Sequence, residues 1–405
     1  MSYIQGLLSI ANADAADYVG AYQAGVTVRQ SKGQGSGAIL FALLALLPTE
    51  SCSQDTFNWF ERDPVLREIT ANGAALIGAT TLTVDNSTFG TVFAAIISGT
   101  PLENTRTGEV LLVTVTPTSD TLTVSRAFGG TAAAAVNDND TFRLGAPVVG
   151  EGSGALDAVS IQPDILSNYI QIFKSTVLLT NSYRGGVLRS DEDGPDLQAH
   201  YTALEKISSE IEMQFFDGLK ASGTISGKPF KTTGGIRAAI RAAGLTANVL
   251  NGNSGTGVTL SLFKAWLNSF MVNGGKKVLF CGSAAYSAIS DYANSNAGGF
   301  RIMNSDDSGA FGLAIVTLVT PFGIVDLVQH PLFNNGKDSL RYAIYAVDLD
   351  NIKQVIQVEL QLQEGIQNND EDVQKDQFYA RLGLKVGYAG AHGYAFNFQK
   401  ILPDV

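Results

Sequence analysis

The sequence carries little charge for its length. Of its 405 residues only 16% are Asp, Glu, Lys or Arg, whereas 45% are hydrophobic. Disordered chains show the opposite balance, so the composition predicts a folded protein. The charge that is present is acidic, because 27 Lys and Arg stand against 38 Asp and Glu, a net charge of -11. Affinity for a phosphate backbone depends on Lys and Arg, so charge-driven nucleic-acid binding is disfavoured.

Cysteine is scarce, with Cys52 and Cys281 far apart in the sequence. A disulfide framework needs several cysteines, and a zinc knuckle needs a Cys-x-x-Cys pair. Neither pattern is present, so a reducing cytoplasm is the expected compartment.

Long hydrophobic runs are missing apart from residues 38–47. This run follows Arg29, the first basic residue, and precedes Cys52, so it superficially resembles a lipoprotein signal. Glu50 is unsuitable before such a cysteine, and about ten residues cannot span a bilayer. We expect a buried soluble segment that ends at Pro48, and no membrane partner.

Sequence motifs typical of catalytic sites, phosphate-binding loops and metal sites are missing as well. The three histidines, His200, His330 and His392, lack metal-ligand spacing. There is no Gly-x-Ser-x-Gly elbow and no phosphate-binding loop. Glu210 and Glu212 could be imagined as an acid–base pair, but solvated helix surface is the better interpretation. We therefore expect no enzyme activity, no catalytic residue, no cofactor and no metal.

The chain is longer than one ordinary core requires, so two or three domains are expected. Residues 1–37 end in a glycine-rich stretch, which is typical of an extended arm with a flexible joint. Residues 68–150 hold short β-rich runs separated by turn residues, which predicts a small all-β barrel or sandwich. These runs are Thr80–Val84, Glu109–Val115, Thr121–Val124 and Thr141–Leu144.

The clearest helix is predicted over residues 196–219. Polar Glu205, Lys206, Ser209 and Glu212 are assigned to its solvent side. A rod of about 37 Å results, which needs one broad surface to lie against. The apolar positions recur every three or four residues: Leu197, Tyr201, Leu204, Ile207, Ile211, Phe215 and Leu219.

Helices and one buried strand, Lys277–Cys281, alternate over residues 232–330 and predict a compact α/β domain. Strands return after it, at 342–347 and 352–362. Between residues 378 and 386 apolar and polar residues alternate, as in a half-buried antiparallel strand.

The order of these parts resembles the Hong Kong 97-type capsid fold of tailed phages. The closest resemblance is to the major capsid proteins typified by a podovirus of Escherichia, in which a small β module interrupts the extended loop. The similar stretches are Leu47–Trp59, Glu109–Thr114, Leu122–Thr131, Asn168–Phe173, Ser208–Leu219, Thr232–Ile236 and Thr320–Gly323.

This resemblance implies an α+β fold of five parts. They are an N-terminal arm (1–50), an extended loop (51–67 and 151–190), an inserted β module (68–150), a peripheral domain with a long spine helix (191–231 and 331–405) and an axial α/β domain (232–330).

The implied function is that of a major capsid protein. Hexamers and pentamers of the chain would form an icosahedral shell around double-stranded DNA, held without sequence-specific contacts. Portal, scaffold and decoration proteins would be further partners, the subunits would assemble in the bacterial cytoplasm, and the mature location would be the virion.

The arm and the looped excursion cannot bury their apolar residues alone, so they are expected to contact neighbouring copies. The residues expected at these contacts are Trp59, Phe60, Tyr169, Ile172 and Phe173. A phage tail, decoration or fibre protein, with the β module as a receptor- or carbohydrate-binding unit, remains the alternative.

Overall fold

The computed structural model has a mixed α+β fold, as the sequence predicts. The residues that it describes are 47–62, 68–85, 96–156, 163–184, 194–252, 257–275, 277–294, 301–304, 315–334 and 339–402. The predicted arm over residues 1–37 and most of the apolar run over 38–47 lie outside these residues. No helix in the described ranges is long and apolar enough to cross a membrane.

The chain divides into two compact units. One consists of residues 59–166, and the other of residues 1–58 together with 167–405.

The unit of residues 59–166 contains a six-stranded antiparallel sheet in the order β3-β8-β5-β6-β7-β4. Its strands alternate, so that Leu122 and Val124 of β7 are buried while their neighbours are exposed. Gly99 has φ +89°, and a Cβ there would lie 2.5 Å from the carbonyl oxygen of Val148, so a side chain is excluded at this crossing. The strands are β3 (Glu68–Thr70), β4 (Thr81–Thr83), β5 (Pro101–Asn104), β6 (Val110–Val113), β7 (Thr121–Ser125) and β8 (Thr141–Leu144).

A two-stranded ribbon pairs β2 (Thr56–Glu61) with β9 (Asp164–Tyr169). The boundary between the two units falls within both strands.

The larger unit has a four-stranded sheet in the order β1-β20-β21-β10. Strand β21 pairs antiparallel along its length with both of its long neighbours, β10 and β20. The strands are β1 (Thr49–Ser51), β10 (Gln171–Thr180), β20 (Ile352–Gln363) and β21 (Val373–Val386).

A seven-stranded mixed sheet, in the order β13-β22-β19-β15-β18-β17-β16, completes the core of this unit. The central strand β15 is the predicted Lys277–Cys281, and all five of its residues are buried. Val278 and Phe280 face one apolar cluster, and Leu279 and Cys281 face another, as in a sheet covered on both faces. The strands are β13 (Val249–Asn251), β15 (Lys277–Cys281), β16 (Arg301–Asn304), β17 (Ile315–Thr320), β18 (Gly323–Gln329), β19 (Ile344–Asp348) and β22 (Gly393–Phe396).

Two small pairs of strands accompany these sheets: the hairpin β11 (Ala221–Ile225) with β12 (Lys228–Thr232), and β14 (Val258–Thr259) with β23 (Ile401–Leu402). The helices are α1 (Asn181–Arg184), α2 (Gly194–Asp217), α3 (Ile236–Ala242), α4 (Leu260–Met271) and α5 (Ser283–Asn294).

Helix α2 is the predicted long helix, shifted by two residues. Its buried residues Ala203, Ile207, Ile211 and Phe215 join the four-stranded sheet and one face of the seven-stranded sheet in a single apolar cluster. The helix is therefore held between two sheets rather than on one surface.

Two expectations for this helix are wrong. Leu197, Tyr201 and Leu219, placed on the buried stripe, are 41%, 63% and 63% exposed, because they lie near the two ends of the helix. Glu212, placed on the solvent side, is fully buried, because the second sheet covers that side of the helix too.

Candidate inter-subunit surface

The ribbon β2–β9 exposes large apolar side chains. Phe60 is 69% exposed, Ile165 66% and Leu166 39%, and all three belong to the unit of residues 59–166. Of these, the sequence analysis singled out only Phe60. Ile165 and Leu166 were missed, although two adjacent apolar residues beside polar neighbours are a usable signal.

Trp59, the second residue expected at a contact, is half-buried on β2. Its indole nitrogen Nε1 donates a hydrogen bond to Oε1 of Glu61 at 2.7 Å. The polar edge of the ring is therefore satisfied, and the ring can pack without leaving its N–H unpaired.

The base of β9 is anchored by the buried side chain of Asn168. Its Nδ2 donates to the carbonyl oxygens of Gly234 at 2.9 Å and Leu384 at 2.7 Å. Its Oδ1 accepts from the backbone N–H groups of Tyr169 and Gly234, both at 2.9 Å. One side chain thus joins the ribbon to β21 and to the turn before α3.

Tyr169 follows this anchor, and two ammonium groups lie over its ring. The Nζ atoms of Lys220 and Lys231 are 5.1 and 5.3 Å from the ring centroid. Lys231 also donates to Oγ1 of Thr56 at 3.0 Å. Cation–π attraction of this kind stabilises the ribbon base in its present position.

Ile172 and Phe173 are neighbours on β10 and therefore face opposite sides of the sheet. Ile172 is 50% exposed, whereas Phe173 is 5% exposed and packs in the core beside α2. The side chain of Phe173 thus serves the fold of its own subunit. Of the five residues predicted at contacts, Phe60 and Ile172 are therefore exposed, Trp59 and Tyr169 are half-buried, and Phe173 is buried.

The three histidines lie apart, and each has its own partners. His392 is fully buried, its Nδ1 accepts from the N–H of Asp348 at 3.2 Å, and its Nε2 lies 3.1 Å from the carbonyl oxygen of Gly387. Burial lowers the pKa of His392 to about 4. Asp348 also forms a buried ion pair with Lys277 at the start of β15.

His330 pairs with Glu212, and both side chains are fully buried. Nε2 of His330 lies 2.9 Å from Oε1 of Glu212, and the imidazole stacks on Phe333 with ring centroids 4.5 Å apart. The sequence analysis missed this pair, because 118 residues separate its members. Buried among aromatic rings, it has no access to a substrate and acts as a structural link.

Two of the ion pairs within the β module are short. Arg126 contacts Glu109, and Arg106 contacts Asp140, with N–O distances of 2.6 Å. Hydrogen bonds from Arg106 hold the pKa of Asp140 well below its usual range, against the opposing effect of burial. Burial raises the pKa of Glu109, but bonds from Arg126 and from backbone N–H groups outweigh it, so that pKa is also lowered. These carboxylates are structural anions of the module.

Sequence comparison connects this architecture with a known family. The profile of the SU10 major capsid protein matches residues 42–399 of the chain. The chain belongs to this family. Membership confirms the resemblance to tailed-phage major capsid proteins, and it identifies the chain as a structural protein of the capsid shell.

A curated member supports the same assignment. The major capsid protein of Pseudomonas phage PaMx41 is 26% identical over 322 residues, which cover 78% of this chain and 74% of the relative.

The similarity to solved structures is weaker than the match to the family. The capsid of a native GTA particle has a TM-score of 0.48 at 9% identity, covering 96% of this chain and 98% of the other. A structure of Mycobacterium phage Cain has a TM-score of 0.46 at 9% identity, covering 98% and 99%. Because these TM-scores are below 0.5, the assignment rests on the family match and not on the solved structures. The described order of strands and helices is consistent with the Hong Kong 97-type fold.

The family assignment gives the exposed apolar residues of the ribbon a context. A shell subunit must present apolar surface that neighbouring copies cover, and an isolated soluble protein has no such requirement. As a member of this family, the chain is located in the virion capsid.

Proposed function

We propose that the chain builds the head shell through hexamers and pentamers, and that the ribbon β2–β9 is a principal contact between copies. The observation that carries this proposal is the exposure of Phe60, Ile165 and Leu166 on the ribbon. Complete burial of a fully exposed side chain of this kind is worth about 1.5–3 kcal/mol, and covering these partly exposed ones contributes a corresponding fraction. Three of them, repeated at every contact of a closed assembly, supply a strong driving force.

The five-part division belongs to the same proposal, with the arm at 1–50 and the loop at 51–67 and 151–190 as the reaching elements. The ribbon falls within the proposed loop, and Asn168 with the two lysines over Tyr169 would hold its base while the exposed part meets a neighbour.

The remaining partners follow from the chemistry of the chain. A net charge of -11 suits a wall along which packaged double-stranded DNA moves without sticking. Portal, scaffold and decoration proteins would bind other surfaces, the subunits would assemble in the bacterial cytoplasm, and no catalytic step is assigned to the chain.

Substitution of Phe60 tests whether the ribbon is a contact between copies. Phe60→Glu places a charge where a neighbour would cover an apolar ring, so we expect the yield of megadalton particles to fall at least about tenfold, the effect of about 1.4 kcal/mol. Sedimentation and negative-stain microscopy measure that yield, and circular dichroism checks the fold.

Val115→Glu is the matched control, because Val115 is 58% exposed in the same unit but lies outside the ribbon. The ribbon proposal predicts normal particles from this variant. Normal particles from Phe60→Glu would overturn the role of the ribbon, and rings or shells that never form from wild-type chain would overturn the assembly proposal itself.

A further inference from the structure

Three potential metal ligands from two distant segments meet at the start of helix α2. Asp196 and His200 are one turn apart on the helix, so their side chains share a face. Asp376 reaches them from β21, with a side chain only 2% exposed. One ligand atom from each of the three residues lies within 4.8 Å of the others.

The hydrogen bonds of His200 determine which of its ring nitrogens carries a hydrogen and which has a lone pair for a metal. Nδ1 lies 2.8 Å from the backbone carbonyl oxygen of Asp196, which can only accept, so Nδ1 carries a hydrogen and donates it. In the neutral ring Nε2 then has a bare lone pair. That lone pair faces Oδ2 of Asp376 at 3.1 Å, where two acceptors would repel each other. A positive species must lie between them, either a proton carried by the ring or by the carboxyl group, or a metal ion.

The distance suits a metal. Two ligand atoms with bonds of about 2.1 Å to a shared ion are about 3.0 Å apart at octahedral geometry and about 3.4 Å apart at tetrahedral geometry. The observed 3.1 Å falls between these values. Asp196 is one-third exposed and can turn towards the same ion, with water completing the coordination.

The surroundings hold the ligands in place, as they do at metal centres. Oδ1 of Asp376 accepts from the N–H of Gly365 at 2.8 Å, and its Oδ2 accepts from Nε2 of Gln374 at 3.1 Å. The imidazole of His200 packs edge-on against Phe378, two residues further along β21, with ring centroids 6.2 Å apart. Asp196 is the most exposed of the three, with 33% of its side chain accessible.

We propose that Asp196, His200 and Asp376 bind a divalent transition-metal ion of the zinc type, which ties the start of α2 to β21. One imidazole with two carboxylates suits such ions, whereas magnesium and calcium prefer oxygen ligands alone. The ion joins residues 176 positions apart in the sequence, and so stabilises the subunit. All three ligands belong to one subunit, so the metal site does not depend on the ribbon contact.

Metal content and stability test the proposal on the full-length chain, stripped with EDTA and then dialysed against ZnCl₂ or MgCl₂. We expect one zinc per chain by mass spectrometry, and a rise of several degrees in the unfolding midpoint with zinc but not with magnesium. His200→Gln and Asp376→Asn should lose zinc affinity by more than the roughly 10- to 100-fold that loss of an outer-shell partner causes.

Glu210→Gln is the matched control, because Glu210 is an exposed carboxylate on the same helix, and it should bind zinc as the wild type does. Should Asp376→Asn fail to fold, His200→Gln and the wild-type comparison with and without zinc still decide the question. Equal zinc content in wild type and His200→Gln, or an unfolding midpoint that zinc leaves unchanged, would show that a proton alone bridges the pair and would overturn the proposal.

Discussion

At the scale of single residues, burial determines the protonation of His392. The ring is fully buried, and this burial lowers its pKa to about 4, against the opposing influence of the Gly387 carbonyl and the Asp348 carboxylate. In the unfolded chain a histidine titrates near its ordinary value of about 6.5. Between these two values the unfolded state binds a proton that the folded state does not. Stability contributed by the neutral ring is therefore complete above about pH 6.5 and declines as the pH falls towards 4.

His392→Gln should remove this dependence. The difference between the two pKa values corresponds to about 3 kcal/mol at most, lost between about pH 6.5 and pH 4. Urea unfolding at several pH values in that interval should show a flatter decline for the variant than for the wild type. Parallel declines would mean that carboxylates elsewhere account for the whole acid sensitivity.

At the scale of elements, helix α2 shows what periodicity can and cannot predict. Its position was predicted to within two residues, because the heavy apolar residues Ile207, Ile211 and Phe215 recur at helical spacing. The burial of Glu212 was not predictable in this way. A polar residue in a helix is predicted to face solvent unless its buried partner is known, and His330 lies 118 residues away, just after β18.

The link between Glu212 and His330 predicts an asymmetric response to mutation. Glu212→Ala leaves a buried imidazole without its partner, and we expect a loss of about 3 kcal/mol in the free energy of unfolding. Glu212→Leu combined with His330→Phe removes both polar groups and should cost clearly less. Chemical denaturation measures both variants.

Glu210→Ala, two positions away and exposed, is the control and should change stability by less than about 0.5 kcal/mol. If the double variant is as unstable as Glu212→Ala, packing rather than the lost pair explains the effect.

Several predicted strands are confirmed, whereas β17 and β18 of the α/β domain were not predicted, and neither were the outward contacts of the strands. Lys277–Cys281 is a buried strand as predicted, since five apolar-rich residues lie between turn signals. Local patterns predicted both Phe60 and Phe173 at contacts between copies, yet Phe60 is exposed and Phe173 lies in the core. An apolar residue in a strand can face its own core or a neighbour, and the local pattern is the same in both cases.

The metal ligands illustrate the same limit. Asp196 and His200 have the i, i+4 spacing that places two side chains on one helical face, a signal the search for paired histidines passed over. The third residue, Asp376, is predictable only from the packing of α2 on β21. A site whose residues come from distant segments cannot be predicted from local sequence patterns, because those patterns do not report on packing.

At the scale of the whole molecule, the mixed α+β fold class was predictable, and the pairing of distant strands was not. The short strand β1 pairs in parallel with β20, more than 300 residues away, so that Thr49 lies opposite Gln354. Nothing in the composition of either strand specifies that partner. Family resemblance supplied the fold class because it reports on the order of sequence segments along the chain.

The two compact units have separate apolar cores. The apolar cluster of the β module consists only of residues from that unit, including Leu102, Leu111 and Phe142, which are at most 1% exposed. Elements with separate cores can unfold in separate steps. Calorimetry of the full-length chain should therefore resolve two transitions, one for each unit.

Asp140→Asn identifies which transition belongs to the β module. Arg106 and Asn104 both donate to the Asp140 carboxylate, and loss of its charge weakens both hydrogen bonds. In a unit of this size the loss should lower its transition by at least about 5 °C and leave the other unchanged. The depressed pKa of Asp140 adds a second signature, because its contribution is complete above about pH 4 and is lost on further acidification, so the variant should lose less stability there than the wild type. One transition that shifts as a whole in the variant would mean that the two units unfold as a single cooperative body.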